Sequence, residues 1–373
     1  MLPVTRTAVE ARTAVIVAGG RGTRLQPLTH GLPKPLVEFC GAPFLVGVLR
    51  RLADAGVTRV LLVVGADTTP FDGLVATGPA LGLEIVAVEE PSPLDTAGGV
   101  RAALHLLDGP TLVCNGDILT DVPFAEVAGA HVASGADATL VLTRVDDTSS
   151  FGVCVRDGDR ITAFVEKPAP GTLPGQDTVN AGTYVLDPAV LAAHPEGRLS
   201  FERQVFPDLL SRGGHVAGFV WDGAWADLGT PERLRAGHRL ALDGACAWPS
   251  VDEVAATSGG VRVAEGARTD GALLTGPVLV LEGAVVAAGA RVGPHVVVGR
   301  EAHVGPDARV RDSVLASATR IGAGVRAEGL CTGPGATLGA GAVVVGDAVV
   351  GADEHVAPGT TLPVGARVPA PRG

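Results

Sequence analysis

Between Ala14 and about Leu242, short runs of β-branched and aliphatic residues alternate with longer amphipathic stretches. The runs are AVIVA (14–18), VLLVV (60–64), EIVAV (84–88), TLVCN (111–115) and ATLVLT (138–143); the stretches include PFLVGVLRRLADAG (43–56) and VRAALHLL (100–107). This alternation predicts a mostly parallel sheet covered by helices, a Rossmann-like α/β fold. Pro43 near the start and Gly56 past the end frame the first helix. In such folds ligands bind beyond the carboxyl ends of the strands, which directs attention to the loops after Ala18, Val88 and Asn115.

From Ala241 to Gly260 turn formers accumulate and no period is sustained, as in a linker. Beyond it a six-residue period takes over. Aliphatic residues fall at Val280, Val286, Val292, Val298, Val304 and Val310, then at Leu338, Val344, Val350, Val356, Leu362 and Val368. Small residues follow four places on, as at Ala284, Ala290, Ala302, Ala308, Ala342 and Ala366. A hexapeptide repeat puts one inward aliphatic on each flat face of a left-handed parallel β-helix. The register slips near Ala316–Ile321 and again between Ile321 and Leu338, which predicts a loop or irregular coil interrupting the stack. The expected organisation is a loose tail over 1–12, an α/β domain over 13–242, a linker over 243–262 and a β-helix over 263–373.

Composition agrees with the repeat. The chain has 52 glycines and only 3% aromatic residues, a balance that a stack of tight corners explains. A net charge of −11 argues against nucleic acid or an anionic membrane as partner, since both require a basic footprint. The five cysteines, Cys40, Cys114, Cys154, Cys246 and Cys331, are scattered without metal-ligand spacing and read as reduced thiols. No apolar run approaches about 18 residues, so the expected location is cytoplasmic.

The stretch carrying most chemistry is AGGRGTRLQPLTHGLPKPL (18–36), directly after a predicted strand. Gly19, Gly20 and Gly22 permit a tight turn whose N–H groups converge on anionic oxygens, and Arg24 and Lys34 add positive charge for a polyphosphate. The prolines flanking Lys34 predict an extended backbone there. The spacing is neither a dinucleotide fingerprint nor a Walker loop.

This pattern, G-G-x-G-T-R-L-x-P-L-T-x-x-x-P-K-P-L, resembles the signature of the sugar-nucleotide pyrophosphorylases, which are sugar-1-phosphate nucleotidyltransferases. NAGTYVLDP, SFERQVFP and WADLGTPE bring it nearest to the mannose-1-phosphate guanylyltransferase group. The resemblance implies an enzyme making an NDP-sugar and pyrophosphate from an NTP and a sugar 1-phosphate. GTP and mannose 1-phosphate, or a related sugar or cyclitol phosphate, are the favoured substrates. It further implies that Ala18, Gly19, Gly20, Gly22 and Thr23 line the nucleotide, that Arg24 grips the triphosphate, and that Lys34 neutralises charge around the reacting phosphoryl group. Asp117 in CNGD and Asp227 in WADLG are two carboxylates at strand ends that can share one Mg²⁺, and the family's corresponding pair holds that metal. Glu166 and Lys167 in FVEKP correspond to residues meeting the sugar hydroxyls and the sugar phosphate. Asn180 and Gly182 resemble the sugar-binding turn, and Gly152 the close backbone approach to the sugar.

The segment EEPSPLDTAGG (89–99) is expected to read the base: Glu89 or Glu90 accepts guanine N–H groups and Gly98 admits the ring. Asp95 departs from the family, standing where glycine or another small residue is usual, and is expected to cap a helix over 96–107. The alternatives are a dTDP-, UDP- or ADP-glucose type pyrophosphorylase, a bifunctional acyltransferase using His295, His303 or His355, and a non-catalytic regulatory subunit. The last is expected to lose the charged residues, all of which are present here. The β-helix is expected to mediate homo-oligomer formation.

Overall fold

The computed structural model describes residues 11–20 and 22–371. Most of the expected tail, residues 1–10, lies outside the described residues. Ala11 is buried, and the Arg12 carbonyl accepts the Thr58 and Arg59 amides. The chain packs as two compact units, one built from the described residues through Gly20 with Val48–Trp225, the other from those of 21–47 with 226–373.

The first unit is organised by a nine-stranded sheet. Its strands are β1 (Thr13–Val17), β2 (Arg59–Val64), β3 (Glu84–Glu89), β4 (Thr111–Asn115), β5 (Ala138–Arg144), β6 (Gly152–Asp157), β7 (Arg160–Glu166), β8 (Thr178–Leu186) and β9 (Val216–Val220). They lie in the order β3-β2-β1-β4-β8-β5-β9-β7-β6. The β3 to β4 half is parallel, as the alternation predicts. β8 then runs antiparallel to both β4 and β5, and β6–β7 is an antiparallel hairpin. The helix expected over 96–107 breaks: an α-helix spans Asp95–Ala102 and a separate 3₁₀ turn Leu104–Leu106. Val15, Leu61, Val113, Leu140 and Tyr184 from the strands pack with Ala97, Val100 and Phe206 in one apolar core.

The second unit is dominated by a parallel, three-faced left-handed β-helix with sheets of seven, six and five short strands. The aliphatic positions read from the six-residue period point inward: Val280 through Val310 and Leu338 through Leu362 are buried in one narrow core, with Val368 packed against it. No loop interrupts the stack. Partners in one column, Leu279, Val297, Val314, Cys331, Val349 and Arg367, are 18, 17, 17, 18 and 18 residues apart. The slips are therefore two rungs each shortened by a residue at a corner. Asp312 (φ 47°) and Gly329 (φ 71°) make those corners in the left-handed region, which Gly and Asp tolerate best.

Residues 230–251 pack within the same unit. Thr230 caps helix α1 (Pro231–Leu242), its hydroxyl accepting the Arg233 amide at 3.3 Å, with Pro231 in the first turn where no N–H is needed. Arg235 is buried against Asp312 and Asp347, and Arg239 pairs with Asp312 through both nitrogens. Trp248, within the stretch expected as a linker, stacks on Phe44 at 5.1 Å and meets Phe39 edge-on. All five cysteines are buried and free, and among the described residues no helix is long and apolar enough to cross a membrane.

Candidate active site

In the first unit, the carboxyl ends of β1 and β4 lie side by side, Val17 opposite Asn115. The Ala18 amide then donates to the Val63 carbonyl at 2.8 Å and the Gly116 amide to the Val17 carbonyl at 2.9 Å. Gly19 and Gly20 on one loop and Asp117 on the next thus emerge at the same sheet edge. Both glycines are exposed and Asp117 is half-buried.

Of the two acidic candidates after β3, Glu90 faces this edge. A Cβ on Gly19 would stand 3.0 Å from its Oε2, and one on Gly99 3.0 Å from its Oε1. Burial raises the Glu90 pKa, against the Leu94 amide, which donates to Oε1 at 3.0 Å. Glu89 ends β3 and is exposed. Gly98 is crowded by the Gly197 carbonyl and Leu94, with no room for a side chain against the 197–199 segment. Asp95 has φ 69°, the left-handed region glycine favours, which accounts for the small residue usual at this place. Its Oδ1 accepts the Thr96 amide at 2.9 Å, so it still satisfies a donor at the helix start.

The hairpin β6–β7 sets Gly152 opposite Glu166. A Cβ on Gly152 would fall 2.5 Å from the Phe164 ring and 3.0 Å from Glu166 Oε2, so only glycine fits. Lys167 follows at φ 47°, its amide donating to the Phe151 carbonyl at 3.0 Å and its Nζ 3.5 Å from Glu166 Oε1. The Asn180–Gly182 turn bulges out of β8: Asn180 pairs with Leu142 and Tyr184 with Leu140, leaving three residues opposite one. Asn180 Oδ1 accepts the Gly182 amide at 3.0 Å, and Gly182 has φ 72° against Asn115. Trp225 joins the two features, its Nε1 donating to the Ala181 carbonyl at 2.9 Å and its ring meeting Phe151 edge-on at 5.4 Å.

In the second unit, Gly22 turns left-handed (φ 59°) into a 3₁₀ turn, Thr23–Leu25, in which Thr23 and Arg24 are exposed. Lys34–Leu36 is also a 3₁₀ turn, so the extended backbone expected at Lys34 belongs instead to Pro33 (φ −56°, ψ 137°). The Pro33 and Lys34 carbonyls accept the Leu36 and Val37 amides, which closes the turn. Lys34 is 8% exposed and its ammonium lies 3.6 Å from Asp227 Oδ1. Arg233 Nη1 donates to Asp227 Oδ2 at 2.6 Å. Gly229 leaves space for a third cation: a Cβ there would be 2.9 Å from Arg24 Nη2. Arg24, Lys34, Arg233 and Asp227 thus form one cluster, and such a set of donors suits phosphate oxygens. Asp227 Oδ1 is buried and makes no hydrogen bond, an oxygen that a cation would satisfy. Among the described residues no three His, Cys, Asp or Glu side chains gather as a metal cluster.

Arg233 and Glu202 escaped the sequence reading; Trp225, expected beside Asp227, is held by the Ala181 carbonyl and the Phe151 ring. Arg233 looks like any arginine on a helix face; its signal lay in its place six residues after Asp227 and one turn into a capped helix.

Fold and chemistry define the class: an α/β domain with a glycine-rich segment carrying Arg24 and Lys34, followed by a parallel β-helix. Comparison with known proteins agrees. The nucleotidyl transferase family profile matches residues 13–244, and the GMPPB C-terminal domain profile matches 274–369. The chain is 37% identical over 297 residues to a protein of Mycobacterium tuberculosis named mannose-1-phosphate guanylyltransferase, covering 73% of this chain and 82% of that one. It is 38% identical to a rice protein named probable mannose-1-phosphate guanylyltransferase 1, of which the match spans 64%. The solved structure of HddC from Yersinia pseudotuberculosis is similar with a TM-score of 0.53 and 26% identity, over 61% of this chain and 97% of that one. The chain belongs to the nucleotidyl transferase family. It is a sugar-1-phosphate nucleotidyltransferase, which joins an NTP to a sugar 1-phosphate and releases pyrophosphate.

Proposed function

We propose that this chain is a Mg²⁺-dependent guanylyltransferase that converts GTP and mannose 1-phosphate, or a closely related hexose 1-phosphate, to the GDP-sugar and pyrophosphate. The observation that carries the substrate choice is its 37% identity, over 73% of its length, to a protein named mannose-1-phosphate guanylyltransferase. An oxygen of the sugar phosphate attacks the α-phosphorus of GTP, the bond from that phosphorus to the α–β bridging oxygen breaks, and pyrophosphate leaves with the electron pair. The reaction needs positioning and charge stabilisation and no covalent enzyme intermediate.

In this reading Ala18, Gly19, Gly20, Gly22 and Thr23 line the nucleotide, and Glu90 accepts N–H groups of the base. Arg24 receives the departing pyrophosphate and Lys34 offsets charge around the α-phosphoryl group. Glu166 and the Asn180–Gly182 turn hold the sugar hydroxyls, Gly152 lets the sugar approach the backbone, and Lys167 holds the sugar phosphate. Asp117 and Asp227 are the ligands for Mg²⁺, which when bound neutralises phosphate oxygens. The hydrogen-bond-free Asp227 Oδ1 supports that role. Buried thiols fit a cytosolic enzyme. The exposed Leu273, Val345 and Val364 on the β-helix fit association with a second copy.

Pyrophosphate release measured for GTP, dTTP, UTP, ATP and CTP against mannose, glucose, glucosamine and heptose 1-phosphates tests the reading. Release that requires GTP and mannose 1-phosphate together is expected; strict preference for another pair overturns the substrate choice while leaving the reaction class.

A further inference from the structure

Glu202 receives hydroxyls from two segments that the proposed function assigns to different substrates. It lies in a single π-helical turn, Phe201–Val205, a local irregularity often found at functional sites. Thr96 Oγ1 donates to Glu202 Oε2 at 2.7 Å, and Ser200 Oγ donates to the same oxygen at 2.8 Å. Tyr184 Oη lies 3.4 Å from the other oxygen, Oε1, toward which it donates.

Each donor leads to a binding segment. Tyr184 Oη accepts Asn180 Nδ2 at 2.7 Å, and Asn180 Oδ1 accepts the Gly182 amide, so this branch ends on the turn assigned to the sugar. Thr96 lies in the first turn of the Asp95–Ala102 helix, within the segment expected to read the base, and its Oγ1 accepts the Phe201 amide at 3.0 Å. The Ala97 and Gly98 amides donate to the Leu199 carbonyl at 2.9 and 3.0 Å, and the Leu199 amide donates to the Leu94 carbonyl at 2.9 Å. The 199–202 segment is therefore a common wall for both branches.

Chemistry gives the connection a direction. Tyr184 is fully buried, and burial pushes its pKa well above the ordinary phenol value, so it keeps its proton. Having accepted from Asn180, its hydroxyl has one proton to give, and Glu202 is the acceptor it faces. A carboxylate can accept at both oxygens at once; a carboxamide cannot, because one end becomes a donor. Partly buried charge-assisted hydrogen bonds of this kind hold neighbouring segments in a single arrangement.

We propose that Glu202 is a positioning residue that sets the sugar turn at Asn180–Gly182 and the base-side helix start at Thr96 in one mutual geometry, so that affinities for both substrates depend on it. This rests on the proposed assignment of those segments to sugar and base. Glu202 touches neither substrate and acts through Tyr184 and Thr96.

The test is steady-state kinetics with GTP and mannose 1-phosphate on Glu202→Gln, Tyr184→Phe, Thr96→Val, Asn180→Ala and Ser200→Ala, with thermal unfolding of each. Tyr184→Phe is expected to raise KM for the sugar phosphate about tenfold, with KM for GTP within about twofold. Thr96→Val should do the reverse, and Glu202→Gln should raise both. Adding Tyr184→Phe to Glu202→Gln should then change KM by less than about twofold, since the shared acceptor is already lost. Ser200→Ala removes a third hydroxyl, on the same oxygen as Thr96, and the cap on the Arg203 amide while leaving the Thr96 and Tyr184 bonds to Glu202 in place, so it is expected to lower the unfolding midpoint and change neither KM by more than about twofold. If Ser200→Ala and Thr96→Val behave alike, or if Glu202→Gln leaves both KM values unchanged while Asn180→Ala raises that for the sugar phosphate, the coupling is overturned and the sugar assignment stands. If Asn180→Ala has no effect on KM for the sugar phosphate, the assignment itself fails and the coupling with it. Should Glu202→Gln not fold, the opposite KM splits of Tyr184→Phe and Thr96→Val carry the same decision.

Discussion

Arg233 clamps Asp227: Nη1 donates to Oδ2 at 2.6 Å, while the carboxylate's other oxygen makes no hydrogen bond and faces the Lys34 ammonium at 3.6 Å. One oxygen is hydrogen-bonded by Arg233 and the other is ion-paired with Lys34. Asp227→Asn is expected to cut turnover by about 100-fold or more, as removal of a charge-stabilising group does. Arg233→Ala should cost about tenfold, with Mg²⁺ saturation shifted upward, because the carboxylate loses its fixed orientation. Pyrophosphate release across a Mg²⁺ titration reads both effects. An unchanged titration for Arg233→Ala would reduce Arg233 to a surface charge.

Gly22 packs directly against Lys34. A Cβ added at its left-handed backbone would lie 2.8 Å from Lys34 Cβ and 3.1 Å from Thr29 Cγ2. Gly22→Ala should destabilise by about 1–2 kcal/mol through backbone strain and push Lys34 aside. Urea unfolding and kcat/KM for the nucleotide, measured on one preparation, should fall together.

Lys167 adopts φ 47° immediately before Pro168, a backbone that a lysine holds only at a cost. Both Lys167→Ala and Lys167→Gly should raise KM for the sugar phosphate. Only glycine relieves the strain, so Lys167→Gly is expected to be about 1 kcal/mol more stable than Lys167→Ala. Equal stabilities would show that the turn is not strained.

His238 is buried beside Phe39. Its Nδ1 donates to the Leu234 carbonyl at 2.8 Å and its Nε2 accepts the Cys40 amide at 3.2 Å, which defines a neutral ring. Burial lowers its pKa to about 4, whereas an unfolded histidine titrates near about 6.5. Between these values the unfolded chain binds a proton that the folded one refuses. Stability is therefore full above about pH 6.5 and falls as the pH drops, by up to about 1.4 kcal/mol per unit and about 3 kcal/mol by pH 4. Guanidinium unfolding at pH 7, 6 and 5 should show a steep loss for the wild type. His238→Gln should be weaker at pH 7 and lose less on acidification.

The β-helix was legible because stacking enforces a count: every rung must present the same aliphatic to the same narrow core. The shortened rungs at Asp312 and Gly329 were misread because a missing corner residue and an inserted loop shift the period alike. The glycine-rich segment was legible through Arg24 and Lys34, whose chemistry is tied to spacing. Glu202 and Arg233 were not, since a hydrogen-bonded network joins residues far apart in the chain and leaves no period. The turn at Lys34 was missed because the proline rule describes Pro33 correctly, while Lys34 itself enters a 3₁₀ turn closed by the Pro33 and Lys34 carbonyls.

Residues of 21–47 fold with 226–373. Glu38 Oε2 accepts the Ser317 amide at 2.9 Å, Arg300 Nε reaches the Gly41 carbonyl at 3.3 Å, and Gly41 has no room for a side chain beside Leu281. The structural boundary therefore does not coincide with the change of composition near residue 250: an early stretch of the chain takes its packing from the unit that holds the repeat array. A chain cut near residue 250 would keep the letters of 21–47 and discard much of the surface on which those letters take shape. An array transplanted onto this chain would have to present an amide to Glu38 and leave Gly41 its close approach, as Ser317 and Leu281 do here.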